Sequence, residues 1–274
     1  MLTKFDVRTN LGDLLSLELD NISDGLIIQD VAGLDPVKAT LVSSSFAGLD
    51  GQQYQSSRRE TRNITIQIGL DPDPILGTVR SLRKKLYAFF MPKSEVNLRF
   101  YNDDEPDLMD IVGRVESFET ALFAQEPVVN ISLICFDPDF YSPDSTLVTG
   151  MLTSAEDPTQ IAYDGTVETG IEFVIAVDRT VTELTIYHNP PNGETRTLQF
   201  VAPLVAGDVL TISTVPGAKG ATLNRTGVET SVLYGVSPQS NWIELLPGVN
   251  GIRVYAEGAG IPLTLEYTTK YGGM

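Results

Sequence analysis

The chain has 274 residues, 42% of them hydrophobic, and carries 19 basic against 36 acidic side chains for a net charge of −17. The hydrophobic content excludes a disordered chain, the length allows two domains, and so acidic a surface has no general attraction for phosphate backbones, which argues against nucleic-acid readers. One cysteine, Cys135, and one histidine, His188, exclude a disulfide framework and a Cys/His zinc site within a single chain. No apolar run approaches the ~18 residues of a membrane span. Residues 1–21 mix Lys4, Asp6, Arg8 and Asp13 into their apolar positions, unlike a signal peptide. A soluble globular chain without membrane insertion is expected.

In chain order, Asp24-Gly25 and Asp50-Gly51 are dipeptides that tolerate the positive φ of tight turns. A strand ending near Leu41 and another starting at Asn63 enclose the polar stretch Ser43 to Arg62, which contains Tyr54, Arg58 and Arg59. About 20 residues is long for a connection in a compact domain, so this stretch is expected to be a projecting hairpin or a loop ordered against a neighbour. From Asn63 to Ile68 three isoleucines fall on one side, the pattern of a half-buried strand. The single strong helix signal follows. Asp73 can cap, Pro74 suits the first turn, and Ile75, Val79, Leu82, Leu86 and Phe89 form an apolar stripe that leaves Arg80, Arg83, Lys84 and Lys85 mostly outside it; Pro92 marks the stop.

Val96 to Phe100 again alternates. The acidic run Asp103 to Asp107, followed by Asp110, matches no EF-hand spacing and is expected to be a charged turn between strands at 96–101 and 108–116, so no metal is assigned. Cys135 ends the apolar strand Val129–Cys135, where a buried, inert thiol is expected.

Residues 1–140 hold 13 basic and 22 acidic side chains, and residues 141–274 hold 6 and 14. This drop in ionisable density, together with the proline joint Asp137 to Asp144, places a domain boundary near 141, with domains at 1–140 and 141–274. The second half is rich in Thr, Val and Gly, and its turn pairs Asp164-Gly165, Asn192-Gly193 and Asn250-Gly251 predict antiparallel β structure throughout. His188 falls in a turn sequence with no orienting partner for catalysis. Gly258-Ala259-Gly260 lacks the third glycine and the helix of a dinucleotide site, and no cofactor is assigned. Glu172 and Glu183 are chance candidates for a glycosidase pair. Trp242 with Tyr234 and Tyr255 could stack on sugar, although core packing is the stronger expectation for the lone tryptophan.

Several runs in order resemble the distal tail protein (Dit) family of siphophages. In the first half these are Gly33-Leu34-Asp35-Pro36, Asp50-Gly51, Arg62-Asn63-Ile64, Leu82-Arg83, Leu86-Tyr87, Pro92-Lys93, Gly113-Arg114-Val115-Glu116, Phe123 and Cys135-Phe136-Asp137-Pro138. In the second they are Ala206-Gly207-Asp208, Thr211 to Thr214, Asn241-Trp242, Leu245 to Asn250 and Leu265-Glu266-Tyr267. The resemblance implies a mainly β chain: an N-terminal β-sandwich with one α-helix and an extended hairpin, then a C-terminal antiparallel β-sandwich of galectin-like or jelly-roll type. It implies a non-enzymatic hub at the distal end of the phage tail, assembled in the host cytoplasm, whose N-terminal domain closes a homo-hexameric ring. Implied partners are the tail tube protein, the tail-tip hub or tail-associated protein, the tape measure protein and receptor-binding or side-fibre proteins, with DNA only in transit through the channel. Within that picture Asp50, Gly51, Tyr54, Arg58, Arg59 and Arg62 are the candidate subunit interface. The alternative is a carbohydrate-binding adhesin module working through Trp242, Tyr234 and Tyr255.

Overall fold

Side chains that alternate apolar and polar every second residue make strands with one face in a core. That pattern dominates the computed structural model, which describes residues 2–19, 21, 24–48, 50–72, 77–103, 108–120, 127–258 and 260–274. The chain divides into two compact units, Met1–Pro143 with Tyr271–Met274, and Asp144–Lys270. The first unit therefore runs slightly past the expected boundary and regains the last four residues.

Unit 1 contains β1 (Leu2–Thr9), β2 (Leu14–Glu18), β3 (Leu26–Ala32), β4 (Ala39–Ser44), β5 (Gln53–Arg59), β6 (Arg62–Leu70), α1 (Val79–Tyr87), β7 (Glu95–Asn102), β8 (Leu108–Thr120), β9 (Val128–Cys135) and the start of β10 (Phe140–Leu152). Seven strands pair antiparallel in the order β2-β1-β7-β8-β9-β6-β3. β8 serves two layers. Its residues from Leu108 to Arg114 pair with β7, those from Arg114 to Thr120 pair with β9, and an irregularity between Val115 and Ser117 supplies the bend that lets one strand change partners. Between the layers lie Phe5, Val7, Ile64, Ile66, Ile68, Leu98, Phe100, Ile131 and Leu133. Cys135 is buried with them, and burial pushes its thiol up to about 11, so it stays protonated and unreactive near neutrality.

α1 closes this core with Leu82 and Leu86, followed by Phe89 and Phe90. It starts later than Asp73 and Pro74 suggest; those two residues and Ile75 lie outside the described residues. Gly77 has φ +125°, which no helical residue adopts, and Thr78 is extended, with its hydroxyl accepting from the Ser81 N–H at 3.4 Å. Thr78 is thus the cap. Arg80, Lys84 and Lys85 are exposed, and Lys85 reaches Asp24 at 3.7 Å.

Unit 2 takes β10 onward: β11 (Thr159–Tyr163), β12 (Thr169–Ala176), β13 (Leu184–Asn189), β14 (Arg196–Phe200), β15 (Val209–Ser213), β16 (Gly220–Arg225), β17 (Val228–Ser231), β18 (Glu244–Leu245), β19 (Gly248–Ala256) and β20 (Pro262–Tyr271). One sheet has the order β17-β16-β15-β12-β20, with β18 added to β12; the other is β11-β19-β13-β14. Ile171, Phe173, Ile175, Leu263 and Leu265 from the first sheet share a core with Ile186, Leu198, Phe200, Ile252 and Val254 from the second, as in a β-sandwich.

Two expectations fail here for one reason. Asn250-Gly251 is not a hairpin turn but part of β19, and His188 is not in a loop but buried at the end of β13. The Asn250 amide works on the preceding turn: its oxygen accepts from the Leu246 N–H at 3.1 Å, and its nitrogen donates to the Leu246 and Gly248 carbonyls at 2.7 and 3.0 Å. His188 Nε2 meets the same amide oxygen at 2.9 Å. A buried asparagine capping a neighbouring turn has the same local sequence as one forming a turn of its own.

Candidate assembly arm

β4 and β5 pair only with each other, as a two-stranded sheet from Ala39↔Arg59 out to Ser44↔Gln53. A hairpin with so few buried residues is marginal by itself, so it needs something beyond its own ladder. Register assigns the faces. Leu41 pairs with Ser57 and Ser43 with Tyr54 on one face, where the Tyr54 and Ser57 hydroxyls meet at 2.8 Å; Val42 pairs with Ser56 and Thr40 with Arg58 on the other. Leu41 is 68% exposed, Tyr54 61%, Phe46 52% and Val42 46%. Large apolar side chains exposed on both faces of a ribbon with no core make it a candidate interaction surface. Asp50 and Gly51 lie exposed between the strands, with Gly51 at φ +92°. Arg58 is exposed and makes no ion pair among the described residues. Residues 38–62 hold Lys38, Arg58, Arg59 and Arg62 against Asp50 and Glu60, a local balance of +2 in a chain of −17.

The root of the arm is the opposite kind of place. Arg59 forms a bidentate pair with the buried Asp139 of its own chain, with Nη2 donating to Oδ2 at 3.0 Å. Arg62, expected at the subunit interface, is only 1% exposed and cannot reach a neighbour. Its Nε donates to the Pro138 carbonyl at 2.7 Å, Nη1 to those of Gly33 and Asp35 at 2.6 and 2.7 Å, and Nη2 to that of Gly272 at 2.6 Å. The guanidinium lies 4.4 Å from the centre of the Phe140 ring. Burial lowers its pKa, because desolvation disfavours the charge. Gly33 stands beside it at φ +91°, and any side chain there would drive a Cβ to 2.0 Å from the Asn63 carbonyl oxygen. The six candidate interface residues thus divide. Asp50, Gly51, Tyr54 and Arg58 are displayed on the arm, whereas Arg59 and Arg62 fasten it. No local pattern in the residues marks Asp139 or the Gly272 carbonyl as fasteners.

The candidate glycan aromatics sit on three separate segments of unit 2. Trp242 packs against the unit 2 core with Lys219 Nζ 6.0 Å from its ring, Tyr234 is 82% exposed on a short 3-10 turn, and Tyr255 projects from β19, which β13 separates from β14. Of the candidate carboxylates, Glu172 lies on β12, and Glu183, just before β13 of the other sheet, accepts from Gln199 at 2.5 Å. Among the described residues no three His, Cys, Asp or Glu side chains form a group able to hold a metal; Asp104 to Asp107 lie outside them. Asp110 pairs with Arg99 at 2.6 and 2.7 Å.

Residues 16–132, within unit 1, match the family described as phage tail protein RIFT-related domain, and residues 164–271 match the siphovirus-type tail component, C-terminal domain. Two tail domains in this order define a phage tail component. The chain belongs to the siphophage distal tail protein family, Dit. No curated protein matches the sequence. Among solved structures, the crystal structure of the Dit protein of phage SPP1, a paradigm of the hub adsorption apparatus in phages that infect Gram-positive bacteria, superposes with a TM-score of 0.66 at 20% identity over 97% of this chain and 98% of that one. The activated baseplate of phage P2 with calcium superposes at 0.46 and 9% identity over all of both chains, and the form with strontium at 0.43 and 9% over 96% and 97%. The likeness to the SPP1 protein is one of fold.

Proposed function

We propose that the chain is a structural hub of the siphophage tail tip, with unit 1 closing a homo-hexameric ring between the tail tube and the tail-tip proteins and leaving a bore for DNA. It performs no chemical step and works by assembly at the distal end of the virion tail, and unit 2 is a docking platform for further tail proteins. The observation that carries this reading is the arm, a ribbon that buries almost nothing of its own chain yet displays Leu41, Tyr54, Val42 and Phe46. A ring needs a heterologous contact in which one flank of each copy receives the other's projection. On the displayed part of the arm, Arg58 offers an exposed cation to a second copy of an acidic chain. Six copies of −17 bring −102 to the ring, and carboxylates facing the bore would repel DNA in transit.

Native mass spectrometry tests the reading. The purified chain should give a species at six times its 29.8 kDa. Leu41→Asp, which puts an unpaired charge on the displayed face, should yield folded monomers, and Arg58→Glu should weaken the ring in a salt-dependent way. Intact hexamers of Leu41→Asp, or a wild-type protein that stays monomeric alone and with tail tube protein, would refute the assignment.

A further inference from the structure

We propose that residues Gly272, Gly273 and Met274 are the clasp that fixes the arm, with Arg62 as the positioning residue through which they act. The inference rests on the arm being the assembly element. Three consecutive residues each make a separate tie to the arm's root. The Gly272 carbonyl accepts from Arg62 Nη2 at 2.6 Å, and the Met274 N–H donates to the Leu34 carbonyl at 3.0 Å. Gly273 passes so close to Pro36 that an added Cβ would stand 2.6 Å from its Cδ and 2.8 Å from its nitrogen. Met274 and Leu34 also pack against the unit 1 core.

These contacts fall on both legs of the ribbon. Residues 33–36 lead into β4, and Arg62 opens β6 directly after β5. The direction of a two-stranded ribbon is set where its legs leave the body, and the tail touches one leg through Leu34 and Pro36 and the other through Arg62. Arg62 joins the two by holding the Gly33 and Asp35 carbonyls on one nitrogen and that of Gly272 on the other. A planar guanidinium with fixed donor directions transmits position in a way a flexible ammonium does not. A ring that must close tolerates little angular error at each contact, so an arm held before it meets its neighbour loses less entropy on assembly.

The test is hydrogen exchange in the 274-residue chain carrying Leu41→Asp, so that no neighbouring copy covers the arm. Adding Gly273→Ala should speed exchange of peptides within 36–60 by on the order of tenfold, with peptides of α1 and β7 unchanged. A chain ending at Tyr271 should do the same, and so should Arg62→Lys. Without Leu41→Asp, Gly273→Ala should lower the yield of hexamers at an unchanged melting temperature. Unchanged arm exchange in both tail variants overturns the clasp, as does faster exchange spread evenly through unit 1, which would make the tail an ordinary part of the fold. Faster arm exchange in a protein that never forms rings supports the clasp and removes the ring reading, so the two fail separately.

Discussion

Arg58 and Arg62 are four residues apart in one basic run, and the structure gives them opposite environments. Arg58 stands on the arm in water, while Arg62 is sealed in the root with four carbonyls around it. The difference shows how a siphophage tail protein can combine a rigid body with an element that has no core. The exposed ribbon β4–β5, the blade of the arm, carries the chemistry a neighbour would see, and the root carries the buried polar contacts that a hairpin with exposed faces lacks.

The sharpest way to break this comparison is to treat the two arginines alike. Arg62→Ala leaves four buried carbonyls without their donor and opens a void beside Phe140, so unit 1 should lose about 3 kcal/mol of stability in urea unfolding. Arg58→Ala should stay within about 0.5 kcal/mol of wild type by the same measurement. Equal effects would mean that root and blade are one continuous structure.

That contrast was legible in the residues but not in the expectation drawn from them. Counting back by twos from Ile68, Ile66 and Ile64 lands on Arg62, so the parity of the strand already puts it on the buried face; its charge drew the interface reading instead. The arm was legible as a long polar interval between strands. Asp139 and Gly272 were not, since their partners lie 80 and 210 residues away and no local pattern records such a pairing. His188 and Asn250, 62 residues apart, show the same limit: each looked like a turn residue until the other strand was present.

Unit 2 sharpens the comparison through pH, because its buried polar groups titrate. Burial holds the His188 pKa below its ordinary 6.5, and its Nδ1 is buried without a hydrogen-bond partner among the described residues. Below pH 6.5 the unfolded chain binds a proton that the folded chain does not, so this contribution is complete above 6.5 and is lost as pH falls through the depressed folded value. Asp208 follows at lower pH. The hydrogen bonds from Arg225 hold its carboxyl below the ordinary 3.8, so its contribution is present above that value and lost in stronger acid. The unfolding midpoint of unit 2 should therefore fall in two steps on acidification. His188→Gln should abolish the first step and leave the second, as followed by Trp242 fluorescence.

A smaller effect separates the two fastenings of the root. Asp139→Asn keeps the shape and removes the charge facing Arg59. Because Arg59 is 38% exposed, water screens the pair, and the cost should be only about 1 kcal/mol. A loss as large as that of Arg62→Ala would mean that the arm hangs on its ion pair rather than on the carbonyl cluster.

The smallest effect on the fold belongs to the residues expected to matter most for assembly. Leu41→Ser and Tyr54→Ser remove apolar surface that is already in water, so each should change the stability of the unassembled chain by less than about 0.5 kcal/mol. A neighbour that buried these side chains would return about 1.5–3 kcal/mol for each aliphatic residue fully covered, and a closed hexamer repeats that contact six times. Small differences per copy therefore become a steep dependence of ring yield on the variant. Hexamer fraction against chain concentration should shift to much higher concentration for each serine variant while urea unfolding of the monomer stays superimposable. Were both curves to move together, the arm would be contributing to its own body, and the division between blade and root would have to be redrawn.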